Sequence, residues 1–297
     1  MTIFLTNPGK QSLMIEKPVM NAAGILGFGA EASGLIPLDA LGAFVTNPIT
    51  YAPRTASRGT RSVALDAGLL LTTGLPNSGM RRMIETYRPA WSRMPVPVIV
   101  HVAATSAADL ISCIELLEHE DSVAGVEIGV QDDLTAREAA SLVKSVARRT
   151  DKPLLFRVPF GATLDYASAV EAEGIGGLTL SAPPRGIARD TGGRWVTGRL
   201  YGPMVHAMNL HHVNQIAKKV NIPVTASGGI HTSDQARDYL QVGAAAVQVD
   251  SVAWARPAQV TVIAHDLSGL TTTQPMGALP DEWFPGMSDA DKRRGAQ

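Results

Sequence analysis

Two glycines and an aspartate meet in "VTASGGIHTSDQARDYLQVGAAAVQVDS", residues 224–251. Gly228 and Gly229 end one apolar run, just before a helical pattern that begins near Thr232. Glycines let a backbone approach a ligand closely, and a helix N-terminus offers free N–H groups, so the arrangement suits a phosphate. The same glycines equally suit a tight strand-to-helix turn with no ligand. The next apolar run ends in Asp250-Ser251. A carboxylate about 5 Å from a phosphate dianion costs on the order of several kcal/mol at an effective dielectric near 20. Three outcomes are open: Asp250 turns away toward a cation such as Arg256, it is protonated, or the cup holds no phosphate. A weakened cup is the expectation, because Ser251 still offers a hydroxyl and an N–H.

Other runs also end in polar residues. "NAAG" (Asn21, Ala22, Ala23, Gly24) closes the first run with small residues that leave room for something flat. Asn47, His101 and Arg157 stand near the ends of the runs 41–47, 96–102 and 152–158. A buried arginine needs an anion or an electron-rich partner, unless it reaches solvent or a loop carboxylate. His101 is either a site residue or a satisfied core histidine. "GVQDDLT" brings Asp132 and Asp133, each a candidate acid–base group or a helix cap. Cys113, between Ile111 and Ile114, reads as a packing residue. His206, His211 and His212 lie in one helical stretch, but His211 and His212 are adjacent and cannot share a face, so no metal site is expected there. No carboxylate pair suggests glycosidase work and no G-x-S-x-G is present.

The elements that must position these groups follow from the pattern of the runs. Eight of them, at 18–24, 41–47, 96–102, 124–130, 152–158, 175–181, 221–227 and 244–250, are rich in Val, Ile and Leu and alternate only weakly. Parallel strands buried on both faces read this way. The stretches between carry helical spacing. Leu110, Ile114 and Leu117 share a face behind Thr105 or Ser106 as cap. Leu142, Val143 and Val146 share another, and Gly243 stops the helix that Thr232 or Ser233 begins. Eight strands alternating with helices predict an α/β fold of the (β/α)8 TIM-barrel type, a single domain over 1–297. It has a short N-terminal extension (1–17) and an irregular tail (271–297). The long insertions 47–95 and 181–220, after strands two and six, should overhang the mouth, where barrel enzymes do chemistry.

The 297 residues carry a formal charge of −1, which argues against nucleic-acid and anionic-membrane partners. A single cysteine excludes an intrachain disulfide. No apolar run approaches the roughly 20 residues of a membrane span, and the N-terminus lacks a signal-peptide layout. A cytoplasmic protein with a small-molecule substrate is expected.

Several motifs together resemble the dihydroorotate dehydrogenase family, most closely its soluble class 1 branch. They are "KPVMNAAG", "GAFVTNPIT", "TTGLPNSGM", "GLTLSAPPRGIARD", "VTGRLYGPMVHA", "TASGGIHTSDQA" and "GAAAVQV", in family order across about residues 15 to 265. The resemblance implies an FMN-dependent barrel, frequently a homodimer. Asn21, Ala22, Ala23, Gly24, Asn47, His101 and Arg157 would surround the flavin ring. Gly202, Gly228, Gly229 and Ser251 would hold its phosphate, and Asn77 would contact substrate. Asp132 falls at the catalytic cysteine and would accept a proton, while Arg157 would stabilise the reduced ring.

Departures from the family cluster at the site. Two lysines near the flavin are Asn47 and Arg157 here, and Leu71, Gly129 and Ala182 stand where asparagines grip orotate. The Gly-Thr or Gly-Ser of the phosphate cup is Asp250-Ser251. The expectation is an FMN oxidoreductase of the CH-CH-donor type acting on a small cyclic substrate other than dihydroorotate. A non-flavin barrel enzyme, or a non-catalytic relative that keeps the scaffold, is the alternative.

Overall fold

The structure, a computed structural model, describes residues 2–29, 31 and 34–269. The tail expected to be irregular lies outside them. All eight apolar runs form parallel strands: β1 (Val19–Asn21), β2 (Phe44–Val45), β3 (Val98–Ala103), β4 (Gly125–Gly129), β5 (Leu154–Arg157), β6 (Gly177–Leu180), β7 (Val224–Ser227) and β8 (Ala246–Val249). They pair in the order β1-β8-β7-β6-β5-β4-β3-β2, the order of a (β/α)8 barrel. Helices lie between them, among them α1 (Met80–Trp91), α2 (Ala107–Glu118), α3 (Ala136–Val146), α4 (Leu164–Ala172), α5 (His206–Ile216) and α6 (Ser233–Gln241). Ser106 caps α2, Thr135 and Glu138 form a capping box on α3, and Thr232 caps α6. Among the described residues no helix is long and apolar enough to cross a membrane.

The ring closes between β1 and β2 without a regular strand pairing. Asn21 makes the seam. Its Nδ2 donates to the Val45 carbonyl (2.6 Å) and its Oδ1 accepts from the Val45 N–H (3.0 Å). Gly42 N–H donates to the Val19 carbonyl alongside (2.8 Å). The resemblance places Asn21 beside a cofactor; its buried amide serves here as a strand partner. Asn21→Leu should leave both Val45 groups unpaired in the interior, at about 1–3 kcal/mol for each. Its urea midpoint should fall accordingly, and an unchanged midpoint would show that the seam closes without this amide.

The N-terminal extension forms a hairpin (Ile3–Phe4 with Met14–Ile15) that plugs the far end of the barrel. Leu5, Leu13 and Ile15 pack there on Met20, Ile99 and Leu155. Gly177 is required beneath it, since a Cβ would stand 2.0 Å from the Leu5 carbonyl oxygen. At the mouth, the two insertions join in a four-stranded antiparallel sheet that the sequence reading did not anticipate. Its strands are Ser62–Leu65, Gly68–Leu71, Arg185–Arg189 and Trp195–Tyr201. Val63, Leu70 and Val196 make a small apolar cluster of their own within this lid.

Candidate active site

The barrel interior carries a polar layer drawn from six successive strands: His101, Glu127, Arg157, Thr179, Ser227 and Gln248. Glu127, with no exposed surface, is its hub. The carboxylate accepts from His101 Nδ1 (2.7 Å), Thr179 Oγ1 (2.6 Å) and Gln248 Nε2 (2.9 Å). Arg157 approaches it at 3.5 Å and also donates to Gln248 Oε1 (2.8 Å) and Ser227 Oγ (3.3 Å). Burial alone would raise the Glu127 pKa. The His101 hydrogen bond, the Arg157 charge and the Thr179 hydroxyl outweigh it and hold the carboxyl down at about 2. Glu127 is therefore ionised at neutral pH, and it was not among the residues singled out from the sequence.

Above this layer lies a cavity of about 340 Å³, the size of a small-molecule site. Ala23, His101, Gly129, Arg157, Ala182 and Tyr201 are in its wall. A second cavity of about 480 Å³ shares Ala23, Arg54, Arg185, Arg199 and Tyr201 with it and adds Gly24, Asn47 and Leu71. The ionised Glu127 can only accept, so His101 Nδ1 carries the proton between them. His101 Nε2 makes no hydrogen bond to the described residues. It stands 2.3 Å from where a Cβ on residue 129 would lie. Glycine at 129 is thus coupled to histidine at 101: the imidazole takes the volume that a side chain on β4 would need.

Other expected site residues have different tasks. Asp132 receives Arg185 Nε (2.5 Å) and Arg199 Nη2 (2.7 Å), both from the lid, and is in the wall of neither cavity. Two guanidinium groups hold its oxygens, so Asp132 anchors the lid. Asn77 also departs from expectation. Its amide bonds Gly79 N–H, the Leu75 carbonyl and Thr50 Oγ1, so that it is in the wall of neither cavity but ties together Thr50 and Leu75, which line the first. Asn47 borders the second cavity, but its Oδ1 accepts from Gly27 N–H (3.2 Å). Ala22 is buried and lines neither cavity. Among the described residues no group of His, Cys, Asp and Glu could hold a metal ion.

The conflict at residues 224–251 resolves in an unexpected way. Asp250 does not turn toward Arg256, whose guanidinium donates instead to the His231 carbonyl (3.4 Å). The carboxylate points into the cup. Oδ2 accepts from Gly229 N–H (3.3 Å), and Oδ1 accepts from Ser251 N–H and Ser251 Oγ (the latter at 2.9 Å). The Ser251 hydroxyl in turn pairs with His231 Nε2 (2.9 Å). Only 2% of Asp250 is exposed. Gly228, Gly229 and Gly202 are needed for chain packing: their Cβ atoms would stand 1.7 Å from Asn209 Nδ2, 2.6 Å from His206 N and 2.6 Å from the Ala67 carbonyl oxygen. None of these three glycines, nor Ser251, lines the mouth cavities.

These observations test an FMN against the site. Ala23, Gly24, His101 and Arg157 suit the ring: two positions with little or no side chain, and a fixed cation at the cavity wall. The phosphate does not fit, because Asp250 holds the amides that would bind it.

Residues 11–270 match the family described as Dihydroorotate dehydrogenase. The chain is similar to proteins named dihydroorotate dehydrogenase B (NAD(+)), catalytic subunit. The one from Porphyromonas gingivalis is 30% identical over 270 residues, covering 85% of this chain and 88% of the relative. That of Geobacter sulfurreducens is 30% identical over 272 residues, covering 86% and 89%.

Proposed function

The chain belongs to the dihydroorotate dehydrogenase family, and from that premise we propose that it is a dihydroorotate dehydrogenase-like, flavin-dependent oxidoreductase whose substrate is a small cyclic anion other than dihydroorotate. The observation that carries this reading is the convergence of the His101–Glu127 pair and Arg157 on one cavity at the barrel mouth. A flavin ring, when bound, supplies the hydride acceptor. The chain's residues do the rest. Arg157, held by Gln248 and Ser227, presents positive charge to a ring that becomes anionic on reduction. His101 Nε2 takes a proton from carbon beside a carbonyl, and Glu127 orients the imidazole and stabilises its cation. This assigns to His101 the role expected of Asp132. Arg54, Arg185 and Arg199 at the rim favour an anion.

Leu71, Gly129 and Ala182 offer no side-chain hydrogen bond to a polar ring, and a site built without such donors loses that recognition. Flavin-loaded protein mixed anaerobically with dihydroorotate should therefore stay oxidised, and rapid bleaching would restore dihydroorotate as substrate. Titration with FMN and with riboflavin, followed by quenching of flavin fluorescence, tests the reading as a whole. Quenching by at least one of them at micromolar concentration is expected, and none by either would overturn it. A flavin-free relative is the second reading, favoured by the carboxylate in the phosphate cup.

A further inference from the structure

We infer that Asp250 is a built-in substitute for a ligand phosphate, so that the barrel mouth holds its planar ligand by the ring alone and takes a phosphate-free flavin at least as well as a phosphorylated one. The first half rests on the geometry; the second half rests also on the flavin reading above. A phosphate at the end of β7 and β8 needs the N–H groups of Gly229 and Ser251, with the Ser251 hydroxyl beside them. All three already point at the Asp250 carboxylate. The tether matters as much as the contacts, because an anion attached to the chain competes at an effective concentration that a dissolved ligand does not reach.

The surroundings close the same position. His231 donates to the Ser251 hydroxyl and fixes it toward Asp250. Asn209 lies against Gly228, and His206 against Gly229. Tyr201 is in the wall of both mouth cavities. Its phenol is pushed up to about 12 by burial and by Asp250, against the pull of Arg157 and Arg199. It packs its ring on Trp254, 5.5 Å between centroids, just beyond the cup sequence. An entering phosphate would have to displace the carboxylate and leave it buried without donors, or stop outside the cup and face its charge. Either event removes the advantage that a phosphate usually gives.

The test compares FMN, riboflavin and inorganic phosphate on the wild-type chain and on Asp250→Gly. Wild type should bind riboflavin at least as tightly as FMN. The glycine variant should bind FMN about tenfold tighter or more, with riboflavin changed by about twofold or less. Inorganic phosphate should raise the melting temperature of the variant and leave that of the wild type unchanged. Equal FMN affinities of variant and wild type, or equal stabilisation of both by phosphate, would overturn the inference. If neither flavin binds either protein, yet phosphate stabilises only the variant, the substitution by Asp250 stands and the flavin reading fails. If flavins bind both proteins with the same FMN-to-riboflavin ratio, the flavin reading stands and the inference fails. Should the glycine variant not fold, Asp250→Asn keeps the volume and removes the charge. FMN binding should tighten there relative to riboflavin, and an unchanged ratio would count against the inference.

Discussion

Replacing Glu127 with leucine is expected to lower stability by about 3–5 kcal/mol, the cost of leaving a buried charge without its partner. In a chain of this size each kcal/mol moves the melting temperature by roughly 2–4 °C, so a drop of about 6–20 °C should be seen. The physical reason is the hub position. Arg157 is 7% exposed and would keep its charge with only neutral acceptors, while His101, Thr179 and Gln248 would lose one each. Removing both charges, in Glu127→Leu with Arg157→Leu, should recover part of the loss, because the uncompensated charge is then gone. A single variant as stable as the wild type would show that the layer is not coupled as described.

The same carboxylate gives the protein a pH dependence of definite sign. Its folded-state pKa, about 2, lies below the ordinary 4.5. The stabilisation is therefore fully present above about pH 4.5 and is lost as pH falls toward 2. Glu127→Gln should flatten the acid limb of the stability curve in that window.

His101→Gln is expected to reduce turnover by about 10²- to 10⁴-fold, the usual contribution of a positioned general base. Flavin quenching should remain, since glutamine preserves a polar group at the cavity wall. The measurement is the rate at which flavin-loaded protein is reduced by the best substrate from an anaerobic screen of small cyclic carboxylates. Asp132→Asn is the comparison. The lid anchor would weaken, but His101 and Glu127 would be untouched, so the rate should stay within about tenfold of wild type. A loss for Asp132→Asn as large as that for His101→Gln would return the base to Asp132. Gly129→Asn should behave differently from both. Its Cβ would meet His101 Nε2 at 2.3 Å, so restoring an amide on β4 requires a smaller residue at 101 as well.

The barrel was legible because strands buried on both faces need continuous apolar runs, and all eight runs became strands. Helix ends were legible too, since Thr232, Gly243 and Ser106 act through neighbours a few residues away. Roles that depend on distant partners were not. Glu127 looked like one acidic residue in "AGVEIGV"; its meaning comes from His101, Arg157 and Gln248, which only the barrel brings together. Asp132 was read without Arg185 and Arg199, which reach it from a lid whose short strands left a weak pattern. An asparagine at a strand end looks the same whether it faces a cavity or a seam, and Asn21 faces the seam. The opposition between the glycine pair and Asp250 was visible, but its outcome depends on a rotamer, which no sequence pattern encodes.

The most direct measurement of the account is a crystal structure of the wild-type protein saturated with riboflavin. The ring should lie in the mouth cavity against Ala23, His101 and Arg157, with the Asp250 carboxylate still on the N–H groups of Gly229 and Ser251. A cavity without the ring, or an Asp250 side chain swung out of the cup, would contradict it.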